Sequence, residues 1–319
     1  MISIGLDVGG TKVLGVAVDT AEPSKVLAEG RVPTPDGGAG LVDTLWELAQ
    51  SLVPEVVCIG VGVPGLVDRA GTLHMGPHLR RMQDVPLARL LTERSGVATV
   101  VDNDANCHAV GEQQAGAAAG AAEALVVTFG TGIGAGIITG GRLLHGANSF
   151  AGEPGHMVVD PNGPPCPCGK RGCWERFASG SGLGRLGRDA AEGGRLDAAM
   201  DLAGGEPEAV RGEHVTAAAR AGDAEAQVVL DTLAYWIALG LANLVNILDP
   251  SIIVIGGGLV EAADILLPEV RVRFGELVMA GDQRPEVPIV AAALGERSGA
   301  IGAALLAAVP PGEPRRSVA

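Results

Sequence analysis

The sequence predicts an α/β protein with two mixed β-sheets, and three observations support this fold class. First, apolar strand-like runs alternate with helical patterns along the 319 residues, which is typical of α/β proteins. Second, a strand–glycine turn–strand unit opens the chain and occurs again from residue 124, which indicates a duplicated fold. Third, short glycine turns join antiparallel strands, so the sheets should be mixed rather than purely parallel.

The first half of the chain contains the opening hairpin, further strands and three helices. In order, we predict the strands Ile2–Asp7, Val13–Asp19 and Val26–Val32, the helix Leu41–Leu52, the strand Val56–Val63, the helix Leu87–Glu93, the strand Ala98–Val101 and a helix ending near Gln114. The small residues of Ala115–Ala121 then form a predicted hinge between the two halves.

The second half repeats the hairpin and continues with more helix. In order, we predict the strands Ala124–Phe129 and Ala135–Thr139, helices between Gly182 and Gly222, a long helix Glu225–Leu248, the strand Ile252–Ile255, the helix Glu261–Val278, the strand Val287–Ala292 and the helix Gly299–Ala308. The tail 310–319, rich in proline and arginine, is predicted to be disordered.

The composition argues against two classes of partner. The net charge of −14 and the pI near 4.8 disfavour nucleic acids and anionic membranes, both of which need clustered Lys and Arg. The start lacks a basic signal-peptide region, and polar residues interrupt the most apolar stretch, Ile237–Ile255, so we expect no membrane span. Cysteines without a signal peptide predict a cytoplasmic protein.

A cluster of cysteines predicts a metal site. Cys166, Cys168 and Cys173 lie in a short loop rich in Gly and Pro, with His156 shortly before them. The alternatives are core packing and disulfide formation, but such a loop has little core to fill and three cysteines cannot all pair. A Cys3His set can surround zinc tetrahedrally, and four protein ligands make the metal structural rather than catalytic.

Three glycine-rich turns predict a site for nucleotide phosphates. They contain Asp7, Gly9, Gly10, Thr11 and Lys12 in the first turn, Gly130, Thr131, Gly132 and Gly134 in the second, and Gly256, Gly257 and Gly258 in the third. Glycine allows a backbone whose N–H groups converge on an anion, and Asp7 could hold Mg2+ through water. The turns match neither the P-loop nor the dinucleotide pattern, and one alone would indicate only a hairpin.

Acidic residues at a strand end and around the metal loop are candidates for catalysis and sugar binding. Asp104 could accept a proton from an attacking hydroxyl and Asn103 could bind a polyol, although helix capping alone explains such residues more often. If Asp104 is catalytic, Asp102 is either the cap or a bystander. Glu153 and Glu175 flank the metal ligands and could accept hydrogen bonds from sugar hydroxyls; the alternative is that both are surface charges.

These motifs together resemble the ROK family (repressors, open reading frames and sugar kinases) over residues 2–308. The residues around Asp7 and those of 128–134 resemble its two phosphate motifs. The segments 152–156 and 166–175 resemble its signature for sugar and zinc. Within the family, the chain is most similar to actinobacterial ATP-dependent glucokinases, because the polyphosphate-using enzymes generally lack the cysteine cluster.

The resemblance implies a fold, a reaction and a role for each matching residue. The fold would be the actin-like ATPase (ribonuclease H-like) fold, with a lobe 1–117 completed by the C-terminal helix 297–309 and a lobe 118–296 that carries the zinc loop. The reaction would be transfer of the γ-phosphoryl group of MgATP to the 6-hydroxyl of a hexose, most specifically glucose. The implied roles are Asp104 as general base; Gly65, Asn103, Asp104, Glu153, His156 and Glu175 for sugar; Asp7, Gly9, Gly10, Thr11, Lys12, Thr131, Gly132, Gly134, Gly256 and Gly257 for ATP; and His156, Cys166, Cys168 and Cys173 for structural zinc.

Several alternatives remain at this stage. The segment Gly76–Met82 lacks the Asn and Trp found in many related glucokinases, so an N-acylhexosamine kinase or a fructokinase stays open. The family also contains sugar-responsive repressors, which carry a DNA-binding domain before the first phosphate motif; Asp7 follows the first residue so closely that we expect none here. A non-catalytic sugar sensor is the third alternative. The resemblance further implies a homo-oligomer, either a dimer or a tetramer.

Overall fold

The computed structural model describes residues 1–76, 79 and 82–309. The tail 310–319 lies outside this part of the chain, and so do residues 77, 78, 80 and 81 of the unusual Gly76–Met82 segment. The predictions about the tail and about that segment are therefore untested.

The first of the two large sheets is mixed, as predicted. Its strands, in the spatial order β3-β2-β1-β4-β8, are β3 (Val26–Pro33), β2 (Lys12–Asp19), β1 (Ile2–Val8), β4 (Cys58–Val63) and β8 (Ala98–Asn103). The hairpin strands β1, β2 and β3 pair antiparallel, whereas β4 pairs parallel to both β1 and β8. A separate small sheet contains β5 (Leu66–Val67), β6 (Leu73–Met75) and β7 (Gln83–Val85), which the sequence analysis missed.

The second large sheet repeats the arrangement of the first. Its strands, in the spatial order β11-β10-β9-β12-β13, are β11 (Arg142–Leu143), β10 (Ile133–Thr139), β9 (Ala124–Phe129), β12 (Ile252–Gly256) and β13 (Ile289–Ala291). Again the first three strands pair antiparallel, and β12 pairs parallel to β9 and β13. The predicted duplication is therefore confirmed at the level of strand order and direction.

Helices flank both sheets. The described helices are α1 (Gly38–Leu52), α2 (Leu87–Ser95), α3 (Asp104–Ala115), α4 (Glu175–Ala178), α5 (Gly180–Glu192), α6 (Asp197–Leu202), α7 (Gly212–Arg220), α8 (Ala224–Leu248), α9 (Ala263–Leu277) and α10 (Ser298–Ala307). The predicted helix at Glu261–Val278 begins as a 3-10 turn at Gly258–Ala262 before α9. The short helix α4 was not predicted.

The C-terminal helix α10 packs against the first sheet with almost no space between the backbones. A Cβ atom at Gly5 of β1 would lie 1.8 Å from the Ala300 carbonyl oxygen, and one at Gly60 of β4 would lie 1.8 Å from that of Ala303. Only glycine permits this approach. We propose on this basis that α10 completes a first lobe formed by residues 1–117, and that residues 118–296 form the second.

The long helix α8 belongs to the hydrophobic core around the second sheet. It is the one helix of the described residues that is long and apolar enough to cross a membrane, and 61% of its apolar window is buried inside the protein. The most apolar stretch was expected at Ile237–Ile255, whereas this helix begins earlier, at Ala224. Its buried side chains include Leu233, Ile237 and Leu241, as expected for a core helix.

Candidate active site and metal centre

A cavity of about 660 Å3 collects most of the candidate residues. We call it the acidic chamber because Asp104, Glu153 and Glu175 line it. The other candidates that line it are Gly9, Gly10, Gly65, Asn103, Thr131, Gly132, Gly134, His156, Cys168 and Gly257. The structure therefore brings together residues that lie far apart in the sequence.

The turn between β8 and α3 places Asn103 and Asp104 at the chamber wall. Asn103 is the N-cap of α3, because its side chain accepts a hydrogen bond from the Asn106 backbone N–H at 3.2 Å. Its amide nitrogen also donates to the Gly65 carbonyl oxygen at 3.1 Å. Asp104 is the first residue of the helix; its Oδ1 accepts a hydrogen bond from the Ala105 backbone N–H at 2.9 Å, and the residue lines the chamber.

Asp102 is neither the cap nor a bystander, so that expectation was wrong. Its side chain is buried, and Oδ1 accepts hydrogen bonds from the Asn103 backbone N–H and from Asn106 Nδ2, both at 2.8 Å. Oδ2 lies 2.7 Å from Nε2 of His145. Asp102 thus fixes the backbone beside Asp104 and links it to the loop that leads to Glu153.

The electrostatic surroundings of Asp104 favour its protonated form. Burial, and then the charge of Asp7, raise the pKa of Asp104, while His108 acts in the opposite direction. Burial likewise raises the pKa of Asp7 to about 7, against the influence of Lys12. His108 Nε2 lies 3.9 Å from Asp7 Oδ2, and burial lowers the pKa of His108 despite the charges of Asp104 and Glu112. Asp104 therefore interacts electrostatically with both Asp7 and His108.

The two other acids, Glu153 and Glu175, also line the chamber. Glu153 immediately precedes the 3-10 turn Pro154–His156, and burial, followed by the charges of Asp104 and Glu175, raises its pKa to about 7. Glu175 opens α4, and its Oε1 lies 3.0 Å from Cys166 Sγ. Both carboxylates therefore face the chamber rather than the surface, contrary to the alternative considered above.

The four predicted metal ligands lie together. The ligand atoms of His156, Cys166, Cys168 and Cys173 are all within 4.8 Å of one another. Cys168 and Cys173 have their sulfur atoms 3.6 Å apart, and Cys166 Sγ lies 3.8 Å from His156 Nδ1. A tetrahedral zinc ion with bonds of about 2.3 Å to sulfur separates its ligand atoms by about 3.7 Å. The spacing and the donor chemistry therefore both fit zinc.

The loop that carries these ligands is anchored to the core by Trp174. Its side chain is fully buried, stacks edge-on against Phe129 at 5.6 Å and donates a hydrogen bond from Nε1 to the Trp236 carbonyl oxygen at 2.6 Å. At Gly172 the φ angle is +69°, and a Cβ atom would lie 1.6 Å from the Asp160 carbonyl oxygen. Glycine is therefore required there for the loop to close.

The glycine turns form part of the chamber wall, but two of their backbone amides already have acceptors within the turns. The Gly9 N–H bonds the Lys12 carbonyl oxygen at 2.9 Å, and the Gly130 N–H bonds that of Gly132 at 3.0 Å, so both amides are used within their own turns. Asp7, Thr11, Lys12 and Gly256 are not among the described residues that line the acidic chamber. Lys12 Nζ instead pairs with Glu296 at 3.0 Å on an exposed surface, and Gly256 pairs with Thr128 in the sheet.

A second cavity, of about 680 Å3, adjoins the first at Gly130 and Thr131, which line both. We call it the arginine chamber because four arginines line it together with two glutamates; these are Arg176, Arg188, Arg211, Arg220, Glu213 and Glu261. Gly258 also lines it. A chamber rich in arginine in a chain of net charge −14 is suited to an anionic ligand.

His108 and Arg176 were not predicted from the sequence as site residues. His108 lies four residues after Asp104 on α3, a spacing that places both on one face of a helix, so this signal was available. Arg176 directly follows Glu175 in the short helix α4. Nothing in its local sequence indicated that it would face a different chamber from its neighbour.

Comparisons with known proteins relate nearly the whole chain to one family. The ROK family model matches residues 3–309. A glucokinase from Streptomyces coelicolor is 36% identical over 97% of this chain and 98% of its own length. The crystal structure of a ROK family glucokinase from Streptomyces griseus with glucose and AMPPNP superposes with a TM-score of 0.87 at 36% identity, covering 96% of this chain and 99% of that one.

The comparisons also include a regulator. The xylose repressor of Bacillus subtilis is 34% identical over 57% of this chain and 48% of its own length. The similarity to the glucokinases extends over nearly both full lengths, and their fold is the actin-like ATPase fold expected from the sequence. The chain therefore belongs to the ROK family.

Proposed function

We propose that the protein transfers the γ-phosphoryl group of ATP to the 6-hydroxyl of a hexose, and that this hexose is glucose. Full-length similarity to glucokinases identifies a hexokinase-type enzyme; the choice of sugar and the role of each residue are the proposal. The observation that supports it best is the junction of the acidic chamber with the arginine chamber at Gly130–Thr131. A sugar in the first and a nucleotide in the second would meet at this turn.

The acidic chamber has the groups that a sugar requires. Carboxylate oxygens accept two hydrogen bonds each, and Glu153 and Glu175 would take the sugar hydroxyls. Asn103, held by the Gly65 carbonyl oxygen, would offer the sugar both a donor and an acceptor. The arrangement matches a polyol better than an apolar or anionic ligand.

Asp104 is the candidate general base. A base works best when its pKa lies near the working pH, and burial together with Asp7 moves the pKa of Asp104 upward from its usual range. Deprotonation of the 6-hydroxyl by Asp104 would let that oxygen attack the γ-phosphorus in line with the leaving ADP. The proton would remain on Asp104 until the product leaves.

The metal ligands would serve the reaction through positioning. His156, Cys166, Cys168 and Cys173 would hold zinc, which when bound would fix the loop that carries Glu175. His156 has Nδ1 toward Cys166, which leaves Nε2 for the sugar. Mg2+ bound with ATP would neutralise charge on the phosphate oxygens, and Asp7, near the end of β1, would hold this ion through water.

Other hexoses are alternative substrates to glucose, and sugar sensing is an alternative to catalysis. N-acylhexosamines and fructose carry the same primary hydroxyl, and residues 77, 78, 80 and 81 at the segment considered above lie outside the described residues. A sugar sensor without activity is the second candidate function, because the xylose repressor is similar over part of the chain. A sensor of this kind would bind the sugar without turnover. A cytoplasmic location and a dimeric or tetrameric assembly belong to the proposal as well.

The test is ADP release from MgATP with glucose, mannose, fructose, N-acetylglucosamine and N-acetylmannosamine. We expect glucose to have the highest kcat/KM. Asp104→Asn should lower kcat by about 10²- to 10⁴-fold, the contribution of a general base, and leave glucose affinity within a few fold. Asp197→Asn, on the exposed first turn of α6, is the matched control. Retained turnover in Asp104→Asn would remove it as the base, and binding without turnover in the wild type would favour the sensor.

A further inference from the structure

Arg176 has a side chain with an unsatisfied donor at the arginine chamber. Its Nε is buried and has no hydrogen-bond acceptor among the described residues. No carboxylate of the described part of the chain lies within ion-pair distance of its guanidinium, whereas Arg220 pairs with Asp264 at 2.7 Å. The guanidinium of Arg176 thus has no acceptor within the described residues, and Arg176 lines the arginine chamber. Its terminal nitrogens are therefore available to an anion bound in that chamber.

The other arginines of this chamber are used mainly by the protein. Arg188 donates to the Val210 carbonyl oxygen at 3.0 Å, and Arg211 has Glu213 at 3.8 Å. Arg176 is therefore the arginine of this chamber whose guanidinium makes no hydrogen bond or ion pair to the described residues. The guanidinium fork matches two oxygens of one phosphate group.

The backbone places Arg176 close to the junction of the two chambers. The carbonyl oxygen of Gly130 accepts a hydrogen bond at 2.8 Å from the N–H of Gly180, which follows α4 by two residues. Glu175, the preceding residue, lies against Cys166 in the acidic chamber. Neighbouring residues of one short helix thus face the two chambers.

We infer that Arg176 binds the phosphate chain of the nucleotide and thereby sets the affinity of the enzyme for its phosphoryl donor. This inference rests on the proposed function for the identity of the anion. It assigns to Arg176 a binding role that neither the glycine turns nor the metal loop provides. Adenosine alone would gain nothing from Arg176, because it carries no phosphate.

The experiment compares nucleotide binding by the zinc-loaded wild type, Arg176→Gln and Arg176→Lys. Calorimetric titrations use ATP, ADP and adenosine, with glucose affinity and zinc content measured on the same samples. Arg176→Gln should weaken ATP and ADP by about 10- to 100-fold, the effect of losing hydrogen bonds to a charged group. Adenosine affinity, glucose affinity and zinc content should stay unchanged, and Arg176→Lys should fall between the wild type and Arg176→Gln.

The matched control is Arg273→Gln, which removes the same charge from the exposed side of α9, where Arg273 pairs with Glu269. Unchanged ATP affinity in Arg176→Gln would overturn the inference, and so would an equal loss for adenosine, since that would indicate a contact with the nucleoside. If Arg176→Gln does not fold, Arg176→Lys decides through the KM for ATP. Should the wild type bind ATP through Arg176 yet phosphorylate no hexose, the proposed function fails while this inference stands.

Discussion

Replacing Glu112 by glutamine should destabilise the protein strongly, because this buried carboxylate joins two separate segments of chain. Glu112 lies near the end of α3 and is 0% exposed. Oε2 accepts hydrogen bonds from the backbone N–H groups of Ala117 at 2.8 Å and Ala293 at 3.0 Å, and Oε1 accepts one from Leu294 at 3.0 Å. Ala117 belongs to the hinge before the second sheet, and Leu294 lies between β13 and α10. The carboxylate therefore holds together the two places where the chain passes between the sheets.

The magnitude follows from what the amide of glutamine can and cannot accept. With its oxygen at the position of Oε2, glutamine keeps two acceptor contacts but turns its NH2 group toward the Leu294 N–H. One buried backbone donor is then unsatisfied, which costs about 1–3 kcal/mol. The two remaining bonds lose their charge assistance, roughly half of their strength. Together these effects predict a loss of about 2–5 kcal/mol in the free energy of unfolding.

Urea unfolding of the wild type and Glu112→Gln measures this loss. The control is Glu123→Gln, since the exposed Glu123 carboxylate accepts one hydrogen bond, from the Gly140 N–H, and its removal should cost less than about 1 kcal/mol. Gly116→Ala should also destabilise the protein, because the added Cβ atom would lie 2.1 Å from Glu112 Oε2 and displace the carboxylate. If Glu112→Gln unfolds at the same urea concentration as the wild type, then the cost of burying the charge cancels these hydrogen bonds and the reasoning is refuted.

Two further perturbations test the acidic chamber and the metal centre. The pKa of Glu153 rises from 4.5 to about 7 on folding, so its contribution to the stability of the sugar-free protein is complete below about pH 4.5 and is lost as the pH rises through 7. The free energy of unfolding of Glu153→Gln, measured by thermal unfolding between pH 5 and pH 8, should lack this decline of roughly 3 kcal/mol. If the wild type and the variant lose stability with pH in parallel, the reasoning is contradicted. Cys168→Ser should lose zinc and raise the KM for glucose by about 10- to 100-fold, whereas Cys58→Ser, outside the ligand set, should keep its zinc. Full sugar affinity in zinc-free Cys168→Ser would show that zinc does not shape the sugar site.

The sequence predicts most clearly those parts of the site whose chemistry lies in one short segment. The metal ligands share a loop, and Asn103 and Asp104 follow a strand, so their residue types and spacing are sufficient. Asp102 was misjudged because its partner His145 is 43 residues away, and a capping rule considers only neighbours. The small sheet β5-β6-β7 was missed because strands of two or three residues have no measurable periodicity.

The overall fold was predictable because the same strand–glycine turn–strand pattern occurs in both halves of the sequence. Both halves begin with a glycine-turn hairpin, and the paired strand orders follow from that start. Packing on α10 was harder to predict. Its contact with Gly5 and Gly60 depends on the absence of side chains at two strand positions, and a glycine within a strand indicates a close approach without naming the partner.

The two chambers differ in charge, and this difference bears on the proposed reaction. Asp104 and Glu153 face one cavity, and mutual repulsion contributes to the raised pKa of Glu153. A triphosphate that approached such a cavity in a chain of net charge −14 would be repelled. Arginines beyond the Gly130–Thr131 turn supply the opposite charge where the phosphates would lie. If Arg176 binds the phosphates, proton transfer and ATP binding depend on different chambers. The acids of the first chamber can then have raised pKa values, as proton transfer to Asp104 requires, while the arginines of the second chamber still bind ATP.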